Sequence, residues 1–174
     1  MYCSYHNTYV GINTDNTDDN INGLYYSLDC ITWVPTFEGQ FIGIAADNRT
    51  GLYLATDGFN LYKSKDGGWS WKEANCGDCS SCYIEHLGFI PELGCFYQIS
   101  NSPSQIYLTY DQTSNWKNLE FPYATSLISL HYAAGSLLAI ADNYNTNYEA
   151  GSYLTENSRA ILSIPVANMT LTEC

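Results

Sequence analysis

The chain is poor in basic side chains. Its 174 residues hold six Lys and Arg against 18 Asp and Glu, giving a net charge of −12 and a pI near 4.2. So few cations cannot form the basic patch that neutralises a phosphate backbone, which excludes nucleic acid as a partner. The acidic balance fits solubility, cation binding or a neutral ligand. No apolar run approaches the ~20 residues of a membrane-spanning helix, so no membrane insertion is expected. The opening Met1-Tyr-Cys-Ser-Tyr-His-Asn-Thr-Tyr lacks the basic and apolar stretches of a secretory leader, and none is expected. No segment sustains a helical period either.

Aromatic residues, in contrast, make up 15% of the chain, with 16 Tyr and 4 Trp, a balance that suits pleated surfaces. The sequence is organised around Ser64-Lys65-Asp66-Gly67-Gly68-Trp69-Ser70-Trp71. The short Asp66 carboxylate can accept N–H groups a few residues on and so close a turn. Gly67-Gly68 supplies the positive φ such a turn needs, and Ser64 can bond across its mouth. Trp71 offers a large apolar face to plug between neighbouring sheets. This Ser-x-Asp-x-Gly-x-x-Trp stretch resembles the Asp-box of sialidase-like β-propellers, in which the motif joins the last two strands of a blade.

The pattern recurs. It stands earlier as Ser27-Leu28-Asp29-Cys30-Ile31-Thr32-Trp33, later as Thr109-Tyr110-Asp111-Gln112-Thr113-Ser114-Asn115-Trp116, and in eroded form around Thr155-Glu156-Asn157. The successive spacings from Ser27 are 37, 45 and 46 residues, close to the ~40–50 of a four-stranded blade. First strands are expected at 41–45, 84–89 and 127–132, and second strands at 51–56, 94–99 and 135–140. The chain is thus expected to be a single all-β domain over 1–174, a β-propeller of about four blades with units near 1–38, 39–76, 83–120 and 125–170. It would be either a small closed ring or a partial ring completed by another chain. The tail 160–166 is expected to close a blade shared by the two termini.

The resemblance implies structure before chemistry. Sialidases grip their substrate carboxylate with three arginines, and Arg49 and Arg159 are the only two here; Phe89-Ile90-Pro91 keeps the frame of a further sialidase motif without its Arg. A neutral-sugar glycosidase needs only two carboxylates. Asp29, Asp66 and Asp111 are consumed by turns, which leaves Asp47, Asp57, Glu85, Glu92 and Asp142 as candidates with no pair singled out.

Two stretches carry metal-like spacing. Cys76, Cys79 and Cys82 place three sulfurs on one loop, and Cys95 or His86 would complete a tetrahedral zinc site; a disulfide pinning that loop, or plain thiols, explains the same residues. Asp18, Asn20 and Asn22, followed by Gly23, match the first half of a calcium loop whose twelfth position is Asp29, and equally a polar hairpin loop. The sequons at Asn48 and Asn168 are expected by chance in so Asn- and Thr-rich a chain.

The enzyme residues of the family are missing, and the Tyr-, Asn-, Thr- and Gly-rich composition is similar to that of bacteriophage tail, fibre or capsid-surface proteins. The resulting expectation is a non-enzymatic binding or structural module of a virus particle, one member of an oligomeric assembly, contacting virion or assembly proteins or a host glycan. A glycoside hydrolase of neutral polysaccharide and an intracellular scaffold are the alternatives.

Overall fold

A computed structural model gives the architecture for residues 1–3, 5–14, 21–77, 83–101, 104–110, 115–119, 126–142, 153–154 and 159–173. Among these there is no α-helix, and no helix long and apolar enough to cross a membrane. The strands form four antiparallel sheets that follow one another along the chain.

The first sheet is a meander of β1 (Tyr2–Cys3), β2 (Thr8–Asn13), β3 (Gly23–Ser27) and β4 (Val34–Glu38). The second repeats it with β5 (Gly43–Asp47), β6 (Leu52–Thr56), β7 (Leu61–Ser64) and β8 (Lys72–Ala74). The third has β9 (Ile84–Ile90), β10 (Cys95–Asn101), β11 (Ser104–Thr109) and β12 (Lys117–Leu119). The fourth contains β13 (Ser126–Ala133), β14 (Ser136–Asp142), β15 (Tyr153–Leu154) and β16 (Arg159–Pro165). The first and second strands expected from the sequence are present, shifted by a residue or two at their ends.

Alternation along the second strand of each sheet decides how the sheets stack, because successive side chains leave a strand on opposite faces. Tyr53 and Ala55 of β6 join Val10 and Leu24 of the first sheet in one buried cluster. Leu52 and Leu54 of the same strand join Phe96, Tyr107 and Trp116 of the third sheet in another. Cys95 and Ile99 of β10 join Leu127, Leu130, Leu137 and Ala139 of the fourth. Each middle sheet is therefore apolar on both faces, and the core is a series of three intersheet layers. Among the described residues no buried cluster joins the fourth sheet to the first.

Two connections depart from the sequence expectation. Residues 160–165 do not close a blade with the N-terminus. They belong to β16, which runs beside β14 with Leu162 buried against the third sheet, leaving β15 at the sheet edge. The strand after the eroded turn thus takes the third place in its sheet, where the strand before the turn stands in the other three. Beyond β16, the chain passes through a 3-10 turn (Val166–Asn168) and returns as β17 (Leu171–Glu173), which pairs with β12 as a fifth strand of the third sheet. Val166, Met169 and Leu171 all pack on the cluster between the third and fourth sheets, so the tail is drawn back there rather than across to the first.

Candidate functional site

The Ser-x-Asp turns set the geometry of everything that follows. In the second sheet the Ser64 hydroxyl donates to Asp66 Oδ1 at 2.8 Å and accepts the Gly68 N–H at 2.9 Å. Asp66 also accepts the Ser70 N–H at 2.9 Å and the Ser70 hydroxyl at 2.5 Å. Burial opposes its ionisation, yet the Ser70 and Ser64 donors win and its pKa is lowered. Gly68 sits at φ +96°, where a Cβ would lie 2.3 Å from Val10 Cγ2, so the turn presses directly on the first sheet.

The first turn is one residue shorter between its Ser and its Trp, and its bonds close earlier. Asp29 Oδ1 accepts the Ile31 N–H at 2.9 Å, the Thr32 N–H at 2.7 Å and the Ser27 hydroxyl at 3.0 Å. The Thr32 and Ile31 donors hold its carboxyl at a pKa of about 2. Cys30 takes the left-handed conformation (φ 61°) that Gly67 holds in the second turn. In the third turn Thr109 is buried, while Asp111 lies outside the described residues.

The three tryptophans that end these turns have different fates. The Trp71 ring is 8% exposed and sits in the layer between the first and second sheets, with its Nε1–H donating to the Gly68 carbonyl at 3.0 Å. Trp116 is 3% exposed in the layer between the second and third, its Nε1–H donating to the Asn75 carbonyl at 2.8 Å. Each thus faces the preceding sheet. Trp33 points the same way from the first sheet, lying over β2 where a Gly11 Cβ would be 3.1 Å from its ring, and it is 38% exposed. No sheet among the described residues covers it. Together with Gly11, Ile12, Asn13 and Tyr25 it lines a cleft of about 280 Å³. Leu28, Ile31 and Val34 of the adjoining hairpin are also exposed. Sequence could not single out this face, since Trp33 ends a Ser-x-Asp turn as its buried counterparts do, only one residue sooner.

The remaining candidates do not converge. Asp47 accepts the Arg49 N–H at 2.9 Å, Arg49 Nε at 3.1 Å and the Thr50 hydroxyl at 2.9 Å. Asp57 accepts the N–H groups of Phe59 and Asn60 at 2.8 and 2.6 Å. In both, burial is outweighed by these donors and the pKa is lowered, so each is a turn-forming carboxylate rather than a proton donor near neutrality. Glu85 lies on β9, Glu92 in the exposed turn before β10, and Asp142 ends β14 opposite Arg159.

Cys95 is buried in the layer between the third and fourth sheets, whereas Cys76 packs on the layer between the second and third. His86 pairs in register with Ile99 and therefore shares the Cys95 face of the third sheet. That sheet separates them from Cys76, so the four-ligand zinc set is not assembled around Cys76 with Cys95 or His86, and the described residues contain no metal-binding cluster. Cys95 forms no disulfide, and burial pushes its thiol pKa up to about 11. Cys79 and Cys82 lie outside the described residues, as do Asp18 and Asn20 of the calcium reading. Asn22 is described, and its carbonyl accepts the Gly39 N–H at 3.0 Å. Asp29, the intended twelfth calcium position, spends its carboxylate on its own turn.

No protein-family model and no curated protein matches the chain. Solved structures do match it. YCF48 bound to a D1 peptide aligns over 88% of this chain and 47% of its own, with 19% identity and a TM-score of 0.58. YCF48 from Cyanidioschyzon merolae aligns over 100% of this chain and 55% of its own, with 14% identity and a TM-score of 0.61. The chain spans about half the length of these structures. At such identities the likeness is one of fold, and that fold is the β-propeller, built here from four antiparallel sheets.

Proposed function

We propose that the chain is a non-catalytic protein-binding module that engages its partner through the outer face of the first sheet. One observation carries this reading: the motif Trp is buried between sheets at Trp71 and Trp116 but exposed at Trp33. A large, partly exposed Trp ring set in a cleft is the kind of anchor that concentrates at interface centres. The peptide in one of the YCF48 structures supports protein ligands for this fold without identifying one here. The turn-bound states of Asp29, Asp47, Asp57 and Asp66 favour binding over glycosidase chemistry.

A photo-crosslinking residue at position 33, introduced in the native source, tests this. It should form adducts with polypeptide, while the same residue at exposed Phe59 should not. Turnover of neutral polysaccharide by the purified chain, or adducts with glycan alone, would overturn it. We further propose display on a virus particle, a reading supported by the Tyr-, Asn-, Thr- and Gly-rich, Lys-poor composition. The check is recovery of the chain from its source inside a large particle rather than as a small soluble species.

A further inference from the structure

The binding face just described is half of a repeating interface, and the molecule carries the other half at its opposite end. On the second strand of every sheet, alternate residues face the following sheet: Val10 and Ile12 of β2, Leu52 and Leu54 of β6, Cys95 and Ile99 of β10, Leu138 and Ile140 of β14. In the first three sheets these side chains pack into the layer with the next sheet. Leu138 and Ile140 are half-buried, as is Ile161, which stands opposite Ile140 in register, and among the described residues none of the three belongs to such a layer.

The halves also match in kind. Between the second and third sheets, aliphatic Leu52 and Leu54 meet aromatic Phe96, Tyr107 and Trp116. The fourth sheet offers the aliphatic half in Leu138, Ile140 and Ile161, and the first offers the aromatic half in Tyr9, Tyr25 and Trp33. Resting on the binding role of the Trp33 face, we propose that a second copy of this chain occupies it. The fourth sheet of one copy packs on the first sheet of the other, head to tail.

Three further observations favour a second copy over closure within one chain. No buried layer joins the fourth sheet to the first among the described residues, and β17 returns to the third sheet instead of reaching the first. The matched propellers are about twice as long, so two copies supply the span of one. The central positions of both faces carry no Asp, Glu, Lys or Arg: Tyr9, Gly11 and Tyr25 on one, Leu138, Ile140 and Ser163 on the other, with Ser129 and His131 of β13 in register beside them. Glu38 and the Asp142–Arg159 register pair stand at strand ends, away from those central positions. A repeated head-to-tail contact closes into a ring if its rotation closes.

Sedimentation equilibrium of the 174-residue chain tests the proposal. The expected mass is twice 19.5 kDa at concentrations up to roughly 100 µM, a range that detects even weak pairing. Trp33→Glu and Leu138→Glu should each give monomers, and their equimolar mixture should regain pairing through its one intact contact. Trp33→Phe should still pair, and Ile161→Gln weakens pairing at a second site; far-UV circular dichroism melts confirm that each variant is folded. Wild-type chain that stays monomeric throughout overturns the proposal. So does a Leu138→Glu variant that pairs like wild type while Trp33→Glu does not, since that pattern marks a symmetric first-sheet contact. If the chain is monomeric but a probe at position 33 captures a different polypeptide, the second-copy proposal falls and the binding face stands. If no polypeptide is captured either, both fall.

Discussion

Individual residues carry the turns, and their protonation is where the turns can be tested. Asp29 has its pKa lowered from 3.8 to about 2, so the folded chain favours the carboxylate more than the unfolded chain does. Its contribution is therefore complete above about pH 4 and is lost as pH falls toward about 2. Carboxyl-carbon NMR should place its midpoint near 2, and Asp29→Asn should flatten that part of the stability-against-pH curve. Gly68 makes a different demand. At φ +96°, with Val10 Cγ2 2.3 Å from any Cβ, Gly68→Ala meets both backbone strain and a packed neighbour. Urea unfolding should show a loss of about 2 kcal/mol.

At the level of elements, the three turn tryptophans form an internal comparison. Trp71→Ala and Trp116→Ala each empty a buried intersheet layer and should cost about 3–5 kcal/mol in urea unfolding. Trp33→Ala removes a ring that no sheet covers among the described residues, and in the monomer should cost about 1 kcal/mol or less. The contrast also shows what sequence can reveal. Asp66, Asp29 and their serines were legible because the bonds they make span two to four residues. The strands β6, β10 and β14 were legible because each carries a long apolar run after a Gly turn. The two-residue β1 and β15 have too few positions to show a period. The order of β15 and β16, and the attachment of β17 to β12, depend on pairings that local pattern does not encode. The fate of Trp33 was illegible for a related reason: burial of a motif Trp is decided by whether another sheet precedes its own. Likewise Cys95 and Cys76 are 19 residues apart in sequence, yet a sheet divides them, which spacing alone cannot show.

For the whole molecule, the dominant feature is the charge of −12 on a chain held together by apolar layers. Among the described ion pairs, Arg49 with Asp47 spans only two residues and ties no sheets together. With so large an excess of one sign, salt should act chiefly by relieving repulsion. Raising ionic strength from about 0.01 M to about 0.15 M shortens the screening length from about 30 to about 8 Å. If that relieves about 1 kcal/mol of self-repulsion, the melting temperature should rise by about 3 °C. Two copies in contact repel each other as well, and the centres of the paired faces carry no Asp, Glu, Lys or Arg whose ion pairs salt could weaken. Sedimentation across the same range should therefore show pairing that tightens with salt. Pairing that weakens with salt would mean that charged side chains hold the copies together, and would place the contact away from Trp33, Leu138 and Ile140.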